Sequence, residues 1–229
     1  MIDRSPDWRK LIFLTLARFL GGMALIAALF FGCAGRLDYW QAWAYLAMLA
    51  ALMTATFVWL LRNEPDLLER RTHTRERDKT QKWVIGVSGI VLTLLFVLPG
   101  LDRRFAWSQV PFWLALLGLA LAIAGYGLYF WVIQANRFAS RVIEVSAGQK
   151  VIDSGPYAWV RHPMYLAILI FLIGTSFALA SYWTLVPSLA MAPVLAVRAF
   201  DEEKTLRNEL PGYVEYTQKV RWRLFPGVW

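Results

Sequence analysis

The stretch Gly155-Pro-Tyr-Ala-Trp-Val-Arg-His-Pro-Met-Tyr165 leads into the apolar run that decides the fold, Pro163–Phe200. That run has about 38 residues, whereas one helix needs only about 20 residues to cross the hydrocarbon core of a bilayer. Ser181-Tyr182 lies near the middle of the run. We therefore predict a tight helical hairpin that turns at these two residues, with Pro187 and Pro193 kinking its returning arm.

The composition is that of a membrane protein, because 58% of the 229 residues are apolar and only 17% are charged. Upstream of the hairpin, the apolar stretches predict four spans, at Leu11–Cys33, Tyr39–Leu61, Trp83–Leu101 and Pro111–Ile133. We expect an all-α polytopic integral membrane protein with about five or six transmembrane helices. It would end in the hairpin and a cytosolic amphipathic helix. Small residues at 118, 122 and 125 in the fourth span favour close helix packing.

The chain divides by its pattern into residues 1–134, which hold the first four spans, and residues 135–229, which hold the opening stretch, the hairpin and the C-terminal helix. With the N-terminus inside, 20 basic residues lie in inner segments and 3 lie in outer loops. This bias predicts that both termini and the 155–165 loop face the cytoplasm, across the inner membrane if the source is bacterial. In so apolar a chain, the basic excess indicates anionic lipid rather than nucleic acid.

The hairpin places distant residues at equal depth, since positions equidistant from its turn face each other on antiparallel helices. A turn at 181–182 sets Tyr165 level with Arg198, and Arg161 with Glu202. A basic and aromatic cluster would thus meet an acidic cluster at the cytoplasmic membrane surface. Such groups can be exposed ion pairs worth about 0–1 kcal/mol each. The density of prolines and ionisable groups in the 155–165 loop favours a site instead.

Several kinds of site are excluded by what the sequence lacks. No G-x-S-x-G motif occurs, the only histidines are His73 and His162, and the only cysteine is Cys33. A triad hydrolase, a metal site and a disulfide framework are therefore not expected. What remains is chemistry carried by a reactive cofactor, such as methyl transfer from a sulfonium. Carboxylates and aromatic faces suit the cationic donor, and an arginine suits an anionic acceptor.

Four motifs lie in this part of the chain: Gly155-Pro-Tyr157, Arg161-His-Pro-Met-Tyr165, Glu202-Glu203-x-x-Leu206 and Gly212-x-x-x-Tyr216-x-x-x-Val220, with Asn136-Arg-Phe138 upstream. They resemble the motifs of the isoprenylcysteine carboxyl methyltransferase family, which is related to the phospholipid N-methyltransferases. The resemblance extends over roughly residues 130–229. It implies a membrane enzyme that uses S-adenosylmethionine to methylate the carboxylate, or another nucleophile, of an amphiphilic substrate.

The resemblance also implies roles for individual residues. Arg198 would contact the acceptor, and Arg161 and Arg198 would form the catalytic pair. The lipid-like or prenylated acceptor would enter from the bilayer, between the fourth and sixth helices. The residues implied to hold S-adenosylmethionine are Gln149, Lys150, Val151, Ile152, Tyr157, His162, Pro163, Tyr165 and Glu202.

Two other functions stay open at this stage. An NADPH-dependent membrane reductase of the sterol type would share a cytosolic C-terminal hairpin, although Glu202-Glu203 would repel its 2′-phosphate. A non-catalytic membrane scaffold would bind no cofactor. The charged segment at residues 62–82 is interpreted as a solvated linker.

Overall fold

The computed structural model describes residues 8–64, 67, 79–136, 138, 145 and 148–229. In this part of the chain all regular elements are helical, which confirms the predicted fold class. Most of the charged 62–82 segment, and Arg137 of the Asn136-Arg-Phe138 motif, lie outside the described residues. The helices are α1 (Trp8–Ala34), α2 (Trp40–Asn63), α3 (Lys79–Phe105), α4 (Phe112–Ala135), α5 (Pro163–Ala178), α6 (Leu185–Glu209) and α7 (Tyr213–Lys219), with a short 3-10 helix at Gly155–Ala158.

Four of these helices are long and apolar enough to cross a membrane, at Ile12–Ala34, Trp40–Asn63, Trp83–Phe105 and Phe112–Ala135. They correspond to the four spans predicted upstream of the hairpin. The third is longer than expected, because α3 continues past Pro99 to Phe105 instead of ending near Leu101. Packing explains the continuation: Gly100 lies directly against the α1 backbone and Cys33, so contacts with α1 hold this part of the helix in place.

The last two long helices form the predicted hairpin. Helix α5 is a shorter apolar helix, and α6 returns from a turn at residues 179–184, which is centred on Ser181 and Tyr182. Asp102 at the end of α3 is buried and fixes this turn. Its carboxylate accepts hydrogen bonds from the Ser181 hydroxyl and from the Ser108 backbone N–H, the latter at 2.7 Å. The turn is therefore tied to the α3–α4 connection.

Helices α4 and α5 pack with almost no side chain between their backbones. A Cβ atom added to Gly118 would stand 2.2 Å from the backbone nitrogen of Ala178, and one added to Gly125 would stand 2.5 Å from that of Phe171. Gly174 of α5 meets Ala122 in the same way, at 2.4 Å. The close approach predicted from the small residues of the fourth span is confirmed.

The chain after α6 folds back over the open end of the hairpin. Gly212 adopts φ +85°, a left-handed conformation that glycine reaches without strain, and α7 starts immediately after it. Residues 220–229, which we name the C-terminal strap, then pair with the 155–165 loop. The backbone N–H groups of Arg161 and His162 donate to the carbonyls of Trp222 and Arg223, both at 2.9 Å. This pairing fixes the backbone of the loop just before α5.

Candidate active site

A cluster of charged and aromatic side chains lies at the end of the hairpin opposite its turn. We call it the polar cluster. It draws on the 155–165 loop, both arms of the hairpin and the C-terminal strap, and its members are Arg161, His162, Tyr165, Arg198, Glu202, Glu203 and Arg223. Proline suits the first position of a helix, so Pro163 starts α5 and leaves His162 as its N-terminal flanking residue. The hairpin geometry therefore explains why residues about 40 positions apart meet here.

The Tyr165 hydroxyl joins the two arms of the hairpin. It donates a hydrogen bond to Oε2 of Glu202 at 2.6 Å and accepts one from Nε of Arg198 at 3.2 Å. Arg198 and Glu202 are one turn apart on α6, so one phenol on α5 bonds to both. The predicted level of Tyr165 with Arg198 agrees with these contacts. A carboxylate that can bind a cation and a guanidinium that can bind an anion are thus held side by side.

His162 lies between the two carboxylates of α6. Its Nδ1 is 3.4 Å from Oε2 of Glu202, its Nε2 is 3.3 Å from Oε1 of Glu203, and its ring stacks on Tyr165 at 5.3 Å between centroids. Burial by itself would lower the pKa of His162, but the hydrogen bonds and charges of Glu202 and Glu203 outweigh it and raise that pKa. The two carboxylates therefore favour the protonated form of the imidazole.

Glu203 is the most heavily bonded carboxylate in the cluster, and its side chain is 4% exposed. Its Oε1 lies 2.9 Å from Nε of Arg161 and accepts from Nε of Arg223 at 3.2 Å. Arg207 approaches Oε2 at 3.7 Å. Burial alone would raise the pKa of Glu203, but His162, Arg161 and Arg223 lower it to about 2. Glu203 therefore ties the loop, α6 and the strap together.

Glu202 differs from Glu203 in how much of it remains accessible. Its side chain is 32% exposed, whereas that of Glu203 is 4% exposed. Among the described residues, four arginines (Arg161, Arg198, Arg207 and Arg223) lie around Glu202 and Glu203. Glu202 can thus attract a cationic group locally, while its surroundings favour an anionic partner.

The other predicted cofactor residues lie beside the cluster. The Tyr157 hydroxyl accepts a hydrogen bond from Nδ2 of Asn136 at 3.0 Å, and the Tyr157 carbonyl accepts one from the Tyr216 hydroxyl at 2.8 Å. Val151 packs against the buried face of α7. Gln149 and Ile152 are half-buried and Lys150 is exposed. The predicted 149–152 stretch therefore contacts α7 through Val151, and Pro163 is the first residue of α5.

Sequence reasoning did not identify the contribution of Glu203, Arg223 or the C-terminal strap. Glu203 stood in the Glu-Glu motif, but only its neighbour was given a role. Arg223 could have been found only as one of several basic residues in the tail, because the strap pairs through backbone groups that leave no residue pattern. Among the described residues, no group of three His, Cys, Asp or Glu side chains could hold a metal ion.

Comparison with known proteins shows what this region is similar to. Residues 116–208, which include every predicted site residue, match the model of the isoprenylcysteine carboxyl methyltransferase (ICMT) family. The structure of the eukaryotic intramembrane Ras methyltransferase ICMT without a monobody is similar, with a TM-score of 0.55 and 20% sequence identity over 86% of this chain and 71% of that chain. A search of the curated proteins gives no match. The predicted resemblance to this family is confirmed by the family match, and the structural match shows a similar fold.

Proposed function

We propose that the protein transfers a methyl group from S-adenosylmethionine to an ionised group, in the first instance a carboxylate, of an amphiphilic acceptor such as an isoprenyl-cysteine. The site would work at the cytoplasmic face of the membrane. The match of residues 116–208 to the ICMT family supports the reaction class. The excess of basic residues on one side supports the orientation.

The observation that carries this proposal is the bridge made by the Tyr165 hydroxyl. It holds the Glu202 carboxylate and the Arg198 guanidinium on one face, through bonds of 2.6 Å and 3.2 Å. Methyl transfer from a sulfonium to a carboxylate joins a cationic donor to an anionic acceptor. A site for this reaction needs groups of both signs within a few ångströms, and the bridge provides them.

The residues of the polar cluster fit S-adenosylmethionine in their chemistry. When bound, this cofactor supplies a methyl group that its cationic sulfur has already activated. Glu202, with a third of its side chain exposed, would attract the cationic part. The stacked rings of His162 and Tyr165 would form one wall of the site, with Tyr157 and the 149–152 stretch beyond α7. These residues would bind, orient and exclude water, which is most of what this reaction requires.

The state of His162 limits the kind of acceptor. Glu202 and Glu203 raise its pKa and so favour the protonated form, which is a poor general base. An acceptor that is ionised at neutral pH, such as a carboxylate with a pKa of about 4, needs no base. A neutral alcohol would need one. The cluster thus favours an acid over an alcohol as the methyl acceptor.

Arg198 and Arg161 would orient the acceptor. Arg198 donates one N–H to Tyr165 and has further donors, which can bind a carboxylate. Arg161 is buried beside Glu203 and would add positive charge where the acid binds. The lipid part of the acceptor would lie along α4, α5 and α6, where Leu189 and Val197 present exposed apolar surface toward the bilayer.

The test is a calorimetric titration of the purified protein in detergent with S-adenosylmethionine and, separately, with NADPH. Saturable binding of S-adenosylmethionine alone is the expected result. Binding of NADPH alone would favour the reductase function instead. Absence of any saturable S-adenosylmethionine binding would overturn the proposal.

Two variants test the roles proposed for Glu202 and Arg198 separately. Glu202→Ala should weaken S-adenosylmethionine binding about 10- to 100-fold, because it removes a charged partner worth roughly 1.5–3 kcal/mol. Arg198→Ala should leave the Kd for S-adenosylmethionine within about twofold and raise the KM for an S-prenyl cysteine acceptor by a similar 10- to 100-fold. Glu209→Ala, at an exposed position of the same helix, is the matched control. If both site variants bind the cofactor like wild type, the role assigned to Glu202 is wrong.

A further inference from the structure

One buried hydroxyl near the polar cluster is left without a hydrogen-bond partner. Tyr213, the first residue of α7, is 4% exposed, and its hydroxyl oxygen has no hydrogen-bond partner among the residues that the structure describes. In the described part of the chain, two other buried side-chain atoms share this condition, in Gln41 and Thr184, while Nε of Arg161 lies 2.9 Å from Glu203 in an ion pair without hydrogen-bond geometry. Thr184 lies at the hairpin turn, whereas Arg161 belongs to the polar cluster. A buried donor without a partner is unfavourable and calls for an explanation.

The position of Tyr213 relates it to the cluster on one side and to the 149–152 stretch on the other. Its ring packs with Leu210, Tyr216, Val220 and Val151. Burial first, and then the negative charges of Glu203 and Glu202, raise the pKa of the phenol, so it stays protonated and can donate. The hydroxyl is therefore a neutral donor within the electrostatic reach of both carboxylates of α6.

Tyr216, one turn later on the same helix, is a buried tyrosine whose hydroxyl has a hydrogen-bond partner, and it serves as a comparison for Tyr213. It is also 4% exposed, and its ring lies 5.6 Å from that of Tyr213. Its hydroxyl donates to the carbonyl of Tyr157 at 2.8 Å. The fold thus gives the Tyr216 hydroxyl a hydrogen-bond partner in the 155–165 loop. It gives the Tyr213 hydroxyl none among the described residues. Packing alone would be served equally well by phenylalanine at position 213.

We propose that Tyr213 is a cofactor-binding residue whose hydroxyl donates a hydrogen bond to a polar atom of bound S-adenosylmethionine. This inference rests on the proposed function and adds α7 to the cofactor site. The residue lies beyond the 116–208 region matched by the family model, so the match assigns it no role. The cofactor would lie between the 149–152 stretch and α6. On binding, it would give the Tyr213 hydroxyl the hydrogen-bond acceptor that it lacks.

The experiment compares Tyr213→Phe with wild type, using S-adenosylhomocysteine as a non-reacting probe. Calorimetry should show the Kd rising about three- to tenfold, the range expected for one neutral hydrogen bond. The ligand-free variant should melt at the same temperature or higher, because the substitution removes a buried donor that had no partner. Tyr216→Phe, which removes a satisfied hydroxyl, should melt lower and provides the contrast.

Four results would overturn this inference. A Kd for S-adenosylhomocysteine equal to that of wild type means that the hydroxyl does not touch the cofactor. A lower melting temperature of ligand-free Tyr213→Phe means that the hydroxyl has a structural partner instead. A change confined to the KM of the acceptor assigns the hydroxyl to the acceptor. If wild type binds neither S-adenosylhomocysteine nor S-adenosylmethionine, the proposed function fails as well, which distinguishes the two failures.

Discussion

At the scale of single residues, the two adjacent glutamates of α6 differ in their burial and in their partners. Glu203 is buried and meets Arg161, His162 and Arg223, so it holds together the parts that surround the site. Glu202 keeps part of its surface and shares Tyr165 with Arg198. Adjacent positions on a helix point about 100° apart, so one carboxylate faces the interior and the other faces the opening. A Glu-Glu pair can therefore serve structure and binding at once.

The ion pairs of His162 and Glu203 predict how stability depends on pH. The folded-state pKa of His162 is raised above 6.5, so its contribution is complete below about pH 6.5 and is lost as pH rises through the raised value. The pKa of Glu203 is lowered from 4.5 to about 2, so its contribution is present above about pH 4.5 and is lost as pH falls toward 2. The melting temperature in detergent should therefore be highest between about pH 4.5 and 6.5.

Two variants test the origin of this profile. His162→Gln should flatten the loss of melting temperature above about pH 6.5. Because His162 also lowers the pKa of Glu203, the variant should weaken the loss on the acid side without abolishing it, since Arg161 and Arg223 remain. Glu203→Gln removes one of the two carboxylates beside the imidazole and should move the alkaline midpoint to lower pH. An alkaline loss that persists unchanged in His162→Gln would show that another group causes it.

Much of the site could be predicted at this scale because hairpin depth follows from counting. A turn at 181–182 and a rise of 1.5 Å per residue place Tyr165 beside Arg198. In the structure, Nε of Arg198 lies 3.2 Å from the Tyr165 hydroxyl. Counting gives depth but not direction, so it did not distinguish Glu202 from Glu203. It also says nothing of Arg223 and Tyr213, whose positions depend on how the chain folds back after Gly212.

At the scale of helices, the site depends on how closely α4 and α5 pack. Gly118, Gly125 and Gly174 let these two backbones touch, so α5 is held along its length. Asp102 fixes the turn of the hairpin at the other end, through Ser181 and Ser108. Because α5 is fixed both along α4 and at the turn, α5 and α6 face each other in one register at the open end of the hairpin. The small residues of α4 predicted its close packing with another helix. The hydrogen-bond partners of Asp102 could not be predicted, because they depend on a contact between loops that sequence periodicity does not reveal.

Two glycines of α4 provide a matched test of this packing. Gly118→Ala places a methyl group 2.2 Å from the backbone of α5, so the helices must separate, at a cost of about 1–3 kcal/mol. Gly127→Ala meets nothing within 4 Å and should be neutral or stabilise the helix by up to about 1 kcal/mol. Melting temperatures of the two variants in detergent give the comparison. Equal melting temperatures would mean that α4 and α5 do not pack this closely.

At the scale of the whole molecule, polar groups gather at opposite ends of the hairpin for different purposes. Helix α6 has 25 residues and is about 37 Å long, and the Asp102 network and the polar cluster lie at its opposite ends. The α3–α4 connection is on the turn side. The strap, α7 and the 155–165 loop are on the cluster side, together with Arg161, Arg198 and Arg223.

This arrangement predicts the membrane orientation in a form that labelling can test. Replacing Cys33 with alanine gives a cysteine-free chain, into which Gln109→Cys and Lys219→Cys are introduced separately; both positions are exposed, one in the α3–α4 connection and one at the end of α7. Because basic segments stay on the cytoplasmic side, an impermeant maleimide added to intact cells should label position 109. Position 219 should react only after the membrane is permeabilised. The opposite pattern would place the polar cluster outside, where cytosolic S-adenosylmethionine could not reach it, and would contradict the proposed function together with the orientation.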